Sequence, residues 1–441
     1  MRSLASVPRF TYATSFMFTA ALAFTATALH ASAAEPILHA APNQIDSIVW
    51  TEQQKVSGSD AAAGDELSTV LIYADHAFVG DPAATIGSNS HQGAVYVFGK
   101  SGSTWIQTQK LTASDGAALD FFGSAIAFDP SGGGLVIGAS NKTVGTHAQQ
   151  GAVYTFANSS GTWIQTQKLV ASDGQQSDAF GYSVGVSSQA VFVGAPGKDK
   201  SAVMSAGAAY VFQGAGGSRV QTQELWGDAA SAEGFGHSIA INGSTTFIGA
   251  PYYYDGNNDV GGVFVFVQQS CVGGTTCWNQ QQLLVPPTIS QIQNPDSNFG
   301  ASIATAGTTL MIGAPYASIG YPLRSMGVVD VYGLSDGVWS YSQQLMASDR
   351  GANNTFGMGL ATNGSVALIG APRTSSPGAV YSFELSGGTW SQQQEFGASD
   401  GTTYDGFGDA ISMSGTTALI DAFRANVGSN SLQGAGYFFS H

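Results

Sequence analysis

The stretch Trp105-Ile-Gln-Thr-Gln-Lys-Leu111 returns almost unchanged as Trp163-Ile-Gln-Thr-Gln-Lys-Leu169. Looser copies follow Trp50, Arg219, Trp278, Trp339 and Trp390, so the motif occurs seven times at spacings of 51 to 61 residues. A fixed period of that length marks a repeat architecture, and it decides the fold before composition does.

Three further motifs recur in constant order between these copies. Phe-Gly stands at Phe122-Gly123, Phe180-Gly181, Phe235-Gly236, Phe299-Gly300, Phe356-Gly357 and Phe407-Gly408, with a degenerate first copy at Leu67-Ser68. Gly-Ala-Pro begins at Gly194, Gly249, Gly313 and Gly370, with variants Gly80-Asp81-Pro82, Gly138-Ala139-Ser140 and Asp421-Ala422-Phe423. The last, typified by Gly93-Ala-Val-Tyr-Val-Phe98, recurs from Gly151, Gly207, Gly261, Gly327, Gly378 and Gly434. Each repeat therefore offers four short runs of alternating apolar residues bounded by turn formers, which reads as four strands. Four strands every 50 to 60 residues predict an all-β, seven-bladed β-propeller of four-stranded blades.

The first recognisable strand, at Trp50, is of the fourth type, and the chain ends on the third type at Gly434-Ala-Gly-Tyr-Phe-Phe439. Pairing the two would close the ring with the N-terminal strand and leave no open sheet at the seam. A linear solenoid would need capping repeats instead.

Composition agrees. Of 441 residues 58 are glycine, and only 10% are charged, against about 25% in an ordinary domain. Long surface helices are excluded for want of Glu, Lys and Arg. The net charge of −15 disfavours nucleic acid and anionic membrane surfaces as partners.

Residues 1–33 read as a signal peptide. Arg2 and Arg9 precede an apolar run from Phe16 to Leu29, and Ala31-Ser32-Ala33 fits a cleavage site. That run of about 14 residues falls short of the roughly 20 that span a bilayer, and no later segment is a membrane span. Residues 34–47 would be a leader and 48–441 the propeller. A secreted, periplasmic or cell-surface location follows. Cys271 and Cys277, six apart and the only cysteines, predict one local disulfide in such a chain.

These motifs resemble the FG-GAP repeats of the integrin alpha-subunit head and of exported bacterial proteins, over residues 48 to 441. The resemblance implies a seven-bladed propeller and fits an interaction or cell-adhesion module, without naming a ligand. Integrin-type calcium loops resemble D-x-D-x-D-G-x-x-D between Phe-Gly and Gly-Ala-Pro. Here that stretch is a short turn, as at Asn242-Gly243-Ser244 and Asn363-Gly364-Ser365, so those sites are not carried over.

Other candidates are weighed residue by residue. Asp255, Asn257 and Asp259 alternate as calcium ligands can; the competing reading is a polar loop, because Val260 stands where an EF-hand has glycine. Acidic pairs five apart (Asp60/Asp65, Asp115/Asp120, Asp173/Asp178, Asp228/Glu233, Asp400/Asp405, with Asp349/Asn354) read as turn formers. Gly181-Tyr-Ser183-Val-Gly185 matches a nucleophile elbow, but Ser183 falls on a repeat strand, aligned with Ser124, Ser238 and Ser302. His76, His91, His147 and His237 show no metal spacing.

No catalytic motif emerges, so the chain is expected to be a non-enzyme. The expected partner is a protein or carbohydrate, held by a monomer on the face of long 2–3 and 4–1 connections near the central channel. The alternative is a polysaccharide lyase or hydrolase whose site is assembled from several blades.

Overall fold

The computed structural model describes residues 48–129, 132–214, 217–227, 233–256, 258–287, 297–318, 324–373 and 376–441. They form seven four-stranded antiparallel sheets. In the first, Thr69–Tyr73, His76–Asp81, Ala94–Ser101 and Thr104–Leu111 pair in chain order. The first strand of each sheet touches its counterpart in both neighbouring sheets, and these contacts form a closed cycle of seven. The sheets are thus the blades of a propeller, first strands innermost.

The seam closes as the motif order predicts. The seventh blade comprises Phe407–Ser414, Thr417–Ala422, Ala435–Ser440 and, outermost, Thr51–Val56 from the other end of the chain. Thr51–Val56 runs antiparallel to Ala435–Ser440.

Between blades, glycine meets glycine. A Cβ on Gly194 would overlap the Gly236 carbonyl of the next blade, and one on Gly138 would overlap that of Gly181. Only glycine allows this approach of two backbones. The Gly of Gly-Ala-Pro in one blade therefore packs on the Gly of Phe-Gly in the next. Alongside, Phe180 N–H donates to the Gln150 carbonyl at 2.8 Å and Phe122 N–H to the Gln92 carbonyl at 3.0 Å. The apolar faces of adjacent blades fill the remaining space, as where Phe78, Leu135, Ile137 and Trp163 cluster.

The Gln-x-Gln triplet explains itself on the rim. Its middle residue is the extra residue of a β-bulge: Gln107 faces Phe98 and Gln109 faces Val97, leaving Thr108 over. The second glutamine then clasps the next blade. Gln109 Nε2 donates to the Trp163 carbonyl and its Oε1 accepts from Trp163 N–H, both at 2.8 Å. The same two bonds join Gln54 to Trp105, Gln167 to Arg219, Gln223 to Trp278, Gln282 to Trp339, Gln343 to Trp390 and Gln394 to Trp50. Seven clasps circle the disc, and the one across the seam is like the rest. Because the clasp reads backbone, Arg219 can replace tryptophan; its guanidinium pairs with the buried Asp129 at 2.6 Å.

Cys271 and Cys277 form a disulfide across the hairpin between Gly262–Ser270 and Thr276–Leu284. No helix among the described residues is long and apolar enough to cross a membrane.

Gln394→Ala removes both bonds to Trp50 and is expected to destabilise the protein by about 1–3 kcal/mol, measured by urea unfolding. Gln393, whose amide bonds only within its own exposed strand, should change stability by less than about 0.5 kcal/mol when replaced by Ala.

Candidate functional site

The face carrying the 2–3 and 4–1 connections is where the repeat stops repeating. Phe-Gly leads six of the seven inner strands, and the next residue differs in all six copies: Ser124, Tyr182, His237, Ala301, Met358 and Asp409. Their backbone geometry is shared. Ser124, Tyr182, His237, Ala301 and Met358 each donate N–H to the carbonyl three residues earlier. The same backbone turn at the start of five inner strands thus carries five different side chains.

Two of them meet. Tyr182 Oη and His237 Nε2 lie 3.2 Å apart, with ring centroids 4.9 Å apart. Burial pushes the His237 imidazole below its ordinary value, partly offset by the Ala301 backbone. It is therefore neutral at pH 7 and can donate or accept. Burial also raises Tyr182, and the Tyr252 and Asp409 side chains add to the rise. Burial lifts the Asp409 carboxyl to about 6, opposed by Arg424.

Beside this pair lies a depression of about 420 Å³, lined by Ala179, Tyr182, Pro196, Gly197, Ser205, Gly234, His237 and Tyr252. It bridges the third and fourth blades on the predicted face. Its floor is apolar, its polar groups are hydroxyls and a neutral imidazole, and no lining side chain carries a charge. Tyr182 and Tyr252 stay 42% and 49% exposed, so their rings are open to a ligand. The size falls within the range of small-molecule sites, about 300–1,000 Å³.

The acidic pairs are turn formers. Asp65, Asp120, Asp178 and Asp405 each accept the backbone N–H three residues earlier, at 2.5 to 2.7 Å. Their partners Asp60, Asp115, Asp173, Asp349 and Asp400 each accept the hydroxyl of the third-strand tyrosine, Tyr96, Tyr154, Tyr210, Tyr381 and Tyr437. Asp228 lies outside the described residues.

Ser183 is a strand residue. Its Oγ donates to the Gly236 carbonyl of the next blade at 2.7 Å, as Ser238 does to Gly300 and Ser302 to Gly357. One alignment needs correcting: Ala125, not Ser124, occupies this place, because Ala125 pairs with Gly138 as Ser183 pairs with Gly194. Asp255 and Asp259 share one loop, where Asp255 Oδ1 accepts the Asn258 N–H at 2.9 Å; Asn257 lies outside the described residues. Among the described residues no three His, Cys, Asp or Glu side chains gather at metal-ligating spacing.

Motif counting missed the Tyr182–His237 pair, since the two are 55 residues apart. The available signal was the unlike residue after each Phe-Gly.

Residues 105–156, 163–212, 339–383 and 390–439 match the family described as FG-GAP repeat. Integrin alpha-3 of Cricetulus griseus is 32% identical over 147 residues, 31% of this chain and 13% of the relative. Integrin alpha-7 of Rattus norvegicus is 28% identical over 163 residues, 35% of this chain and 14% of the relative. The chain thus spans about one seventh of each relative. It carries FG-GAP repeats on a seven-bladed propeller.

His237 should titrate below the ordinary 6.5 in a histidine-resolved NMR titration, and Tyr182→Phe should shift its ring resonances. A midpoint above 6.5 would contradict the buried, neutral imidazole.

Proposed function

We propose that this FG-GAP propeller is an exported interaction module that binds its ligand in the depression between Tyr182 and Tyr252. The observation that carries the reading is the uncharged, aromatic lining of that depression on a protein of net charge −15. A charged ligand would find no counter-ion there. A sugar ring would, however, find aromatic faces for its apolar side and the Tyr182 Oη, Tyr252 Oη, Ser205 and His237 groups for its hydroxyls. A neutral carbohydrate is therefore the favoured ligand, and a protein presenting an uncharged aromatic or proline-rich segment is the second.

Export is supported by the N-terminal pattern of charge, apolar run and small residues, all outside the described residues. The Cys271–Cys277 disulfide suits an oxidising compartment. A monomer is the simplest state for a closed ring without free sheet edges at its seam.

One observation favours the polysaccharide-active alternative: the Tyr182–His237 pair near Asp409 could move a proton. Release of reducing ends or unsaturated products from polysaccharides, lost in Tyr182→Phe, would support it. The binding reading predicts neither.

On glycan and peptide arrays, Tyr252→Ala should weaken binding at least about tenfold, equivalent to ~1.4 kcal/mol. Tyr404→Ala, exposed on the same face but outside the depression, should leave it unchanged. Equal binding by both variants would reject the site.

A further inference from the structure

The first blade departs from the second and third at one buried spot. In those two blades a lysine fills it. Lys142 Nζ lies 2.8 Å from Asp120 Oδ2 and 2.5 Å from the Asp115 carbonyl, and the Lys142 and Asp120 side chains are 6% and 3% exposed. Lys198 Nζ likewise lies 3.3 Å from Asp178 Oδ2 and 2.8 Å from the Asp173 carbonyl. Each ammonium pairs with the buried carboxylate and offsets the cost of taking it out of water.

The first blade keeps the carboxylate and loses the lysine. Asp65 is buried and accepts Ala62 N–H, as Asp120 accepts Ala117 N–H. The place of the lysine is taken by Ala84. The three residues are equivalent, because Ala84, Lys142 and Lys198 donate N–H to Asp81, Ala139 and Ala195 respectively.

The same blade adds a second anion. Asp81 stands where its neighbours have Ala139 and Ala195. It pairs with Ala94 as Val79 pairs with Tyr96, so its side chain leaves the sheet on the face of Tyr96, whose hydroxyl donates to Asp60 at 3.0 Å. Asp81 is fully buried, and neither carboxylate oxygen has a hydrogen-bond partner. Burial, then Asp65, lifts its carboxyl to about 8; Lys110 and the Ala84 backbone oppose the rise and Asp60 adds to it.

We infer that the first blade binds a hard cation, calcium foremost, where the second and third blades hold their own lysine ammonium. Asp81, Asp65 and the Asp60 carbonyl supply its protein oxygens. The ligands are oxygen only, two are carboxylates, and a divalent ion balances both. Calcium tolerates an irregular site completed by water, whereas magnesium demands a regular octahedron. This site is separate from the Asp255 loop and independent of the ligand in the depression.

The test is the melting temperature of the whole mature protein in millimolar calcium against chelator. The wild type should melt several degrees higher in calcium. Asp81→Ala, which restores the residue of the neighbouring blades, should abolish that difference. Ala84→Lys should supply the missing ammonium, raising the melting temperature in chelator and also abolishing the response. Asp255→Ala combined with Asp259→Ala should leave the response intact. No calcium effect on the wild type, a response surviving in Asp81→Ala, or its loss in the Asp255/Asp259 variant would overturn the assignment.

Discussion

The approach of one glycine backbone to another, blade against blade, is the contact on which this structure depends. Gly194 can sit against the Gly236 carbonyl only because neither carries a side chain. That closeness lets Phe235 N–H reach the Ala206 carbonyl and lets Ser183 Oγ reach Gly236. The buried phenylalanines then fill the space between sheets, and the glutamine clasps tie the rim. Each motif of the repeat is one half of a contact with the neighbouring blade. The blades are therefore not independent units, and the ring is the stable object.

The matched repeats show the same interlock along the chain. The unit 105–156 begins on the outer strand of one blade and ends on the third strand of the next. A repeat out of phase with the blade forces the chain to finish one blade short of a strand, and Thr51–Val56 supplies it. At that interface the rules relax together. Phe-Gly becomes Leu67-Ser68, and opposite it Asp421 takes the place of a Gly-Ala-Pro glycine. Once the facing glycine is gone, its partner no longer has to be glycine. Asp421 donates nothing but accepts Ala410 N–H at 2.6 Å, and burial raises its carboxyl well above the ordinary value, with Asp409 adding to the rise. The freedom gained at the seam thus admits a buried carboxylate where the other blades have glycine.

Much of this was legible in the sequence because repetition gives seven readings of each position. Strand number, blade number and closure followed from motif order alone. The role of the glutamines did not, because a side chain that clasps the backbone of the next blade looks, in one dimension, like an ordinary polar strand residue. The slip between Ser124 and Ser183 arose from counting serines rather than ladder partners. The depression was legible only as a face: long connections pointed to it, but Tyr182, His237 and Tyr252 come from two blades. What marks them is variation, six unlike residues after six Phe-Gly pairs, on a scaffold that holds everything around them constant.

If the seven blades form one ring with no weak joint, the seam must be as stable as any other interface. Amide hydrogen exchange on Thr51–Val56, compared with Thr104–Leu111 and Thr162–Leu169, tests this most directly. Equal protection of the hydrogen-bonded amides in all three outer strands, lost together in global unfolding, is the predicted result. Exchange of Thr51–Val56 orders of magnitude faster than its two counterparts would contradict a closed ring and reduce the first strand to a loosely docked end.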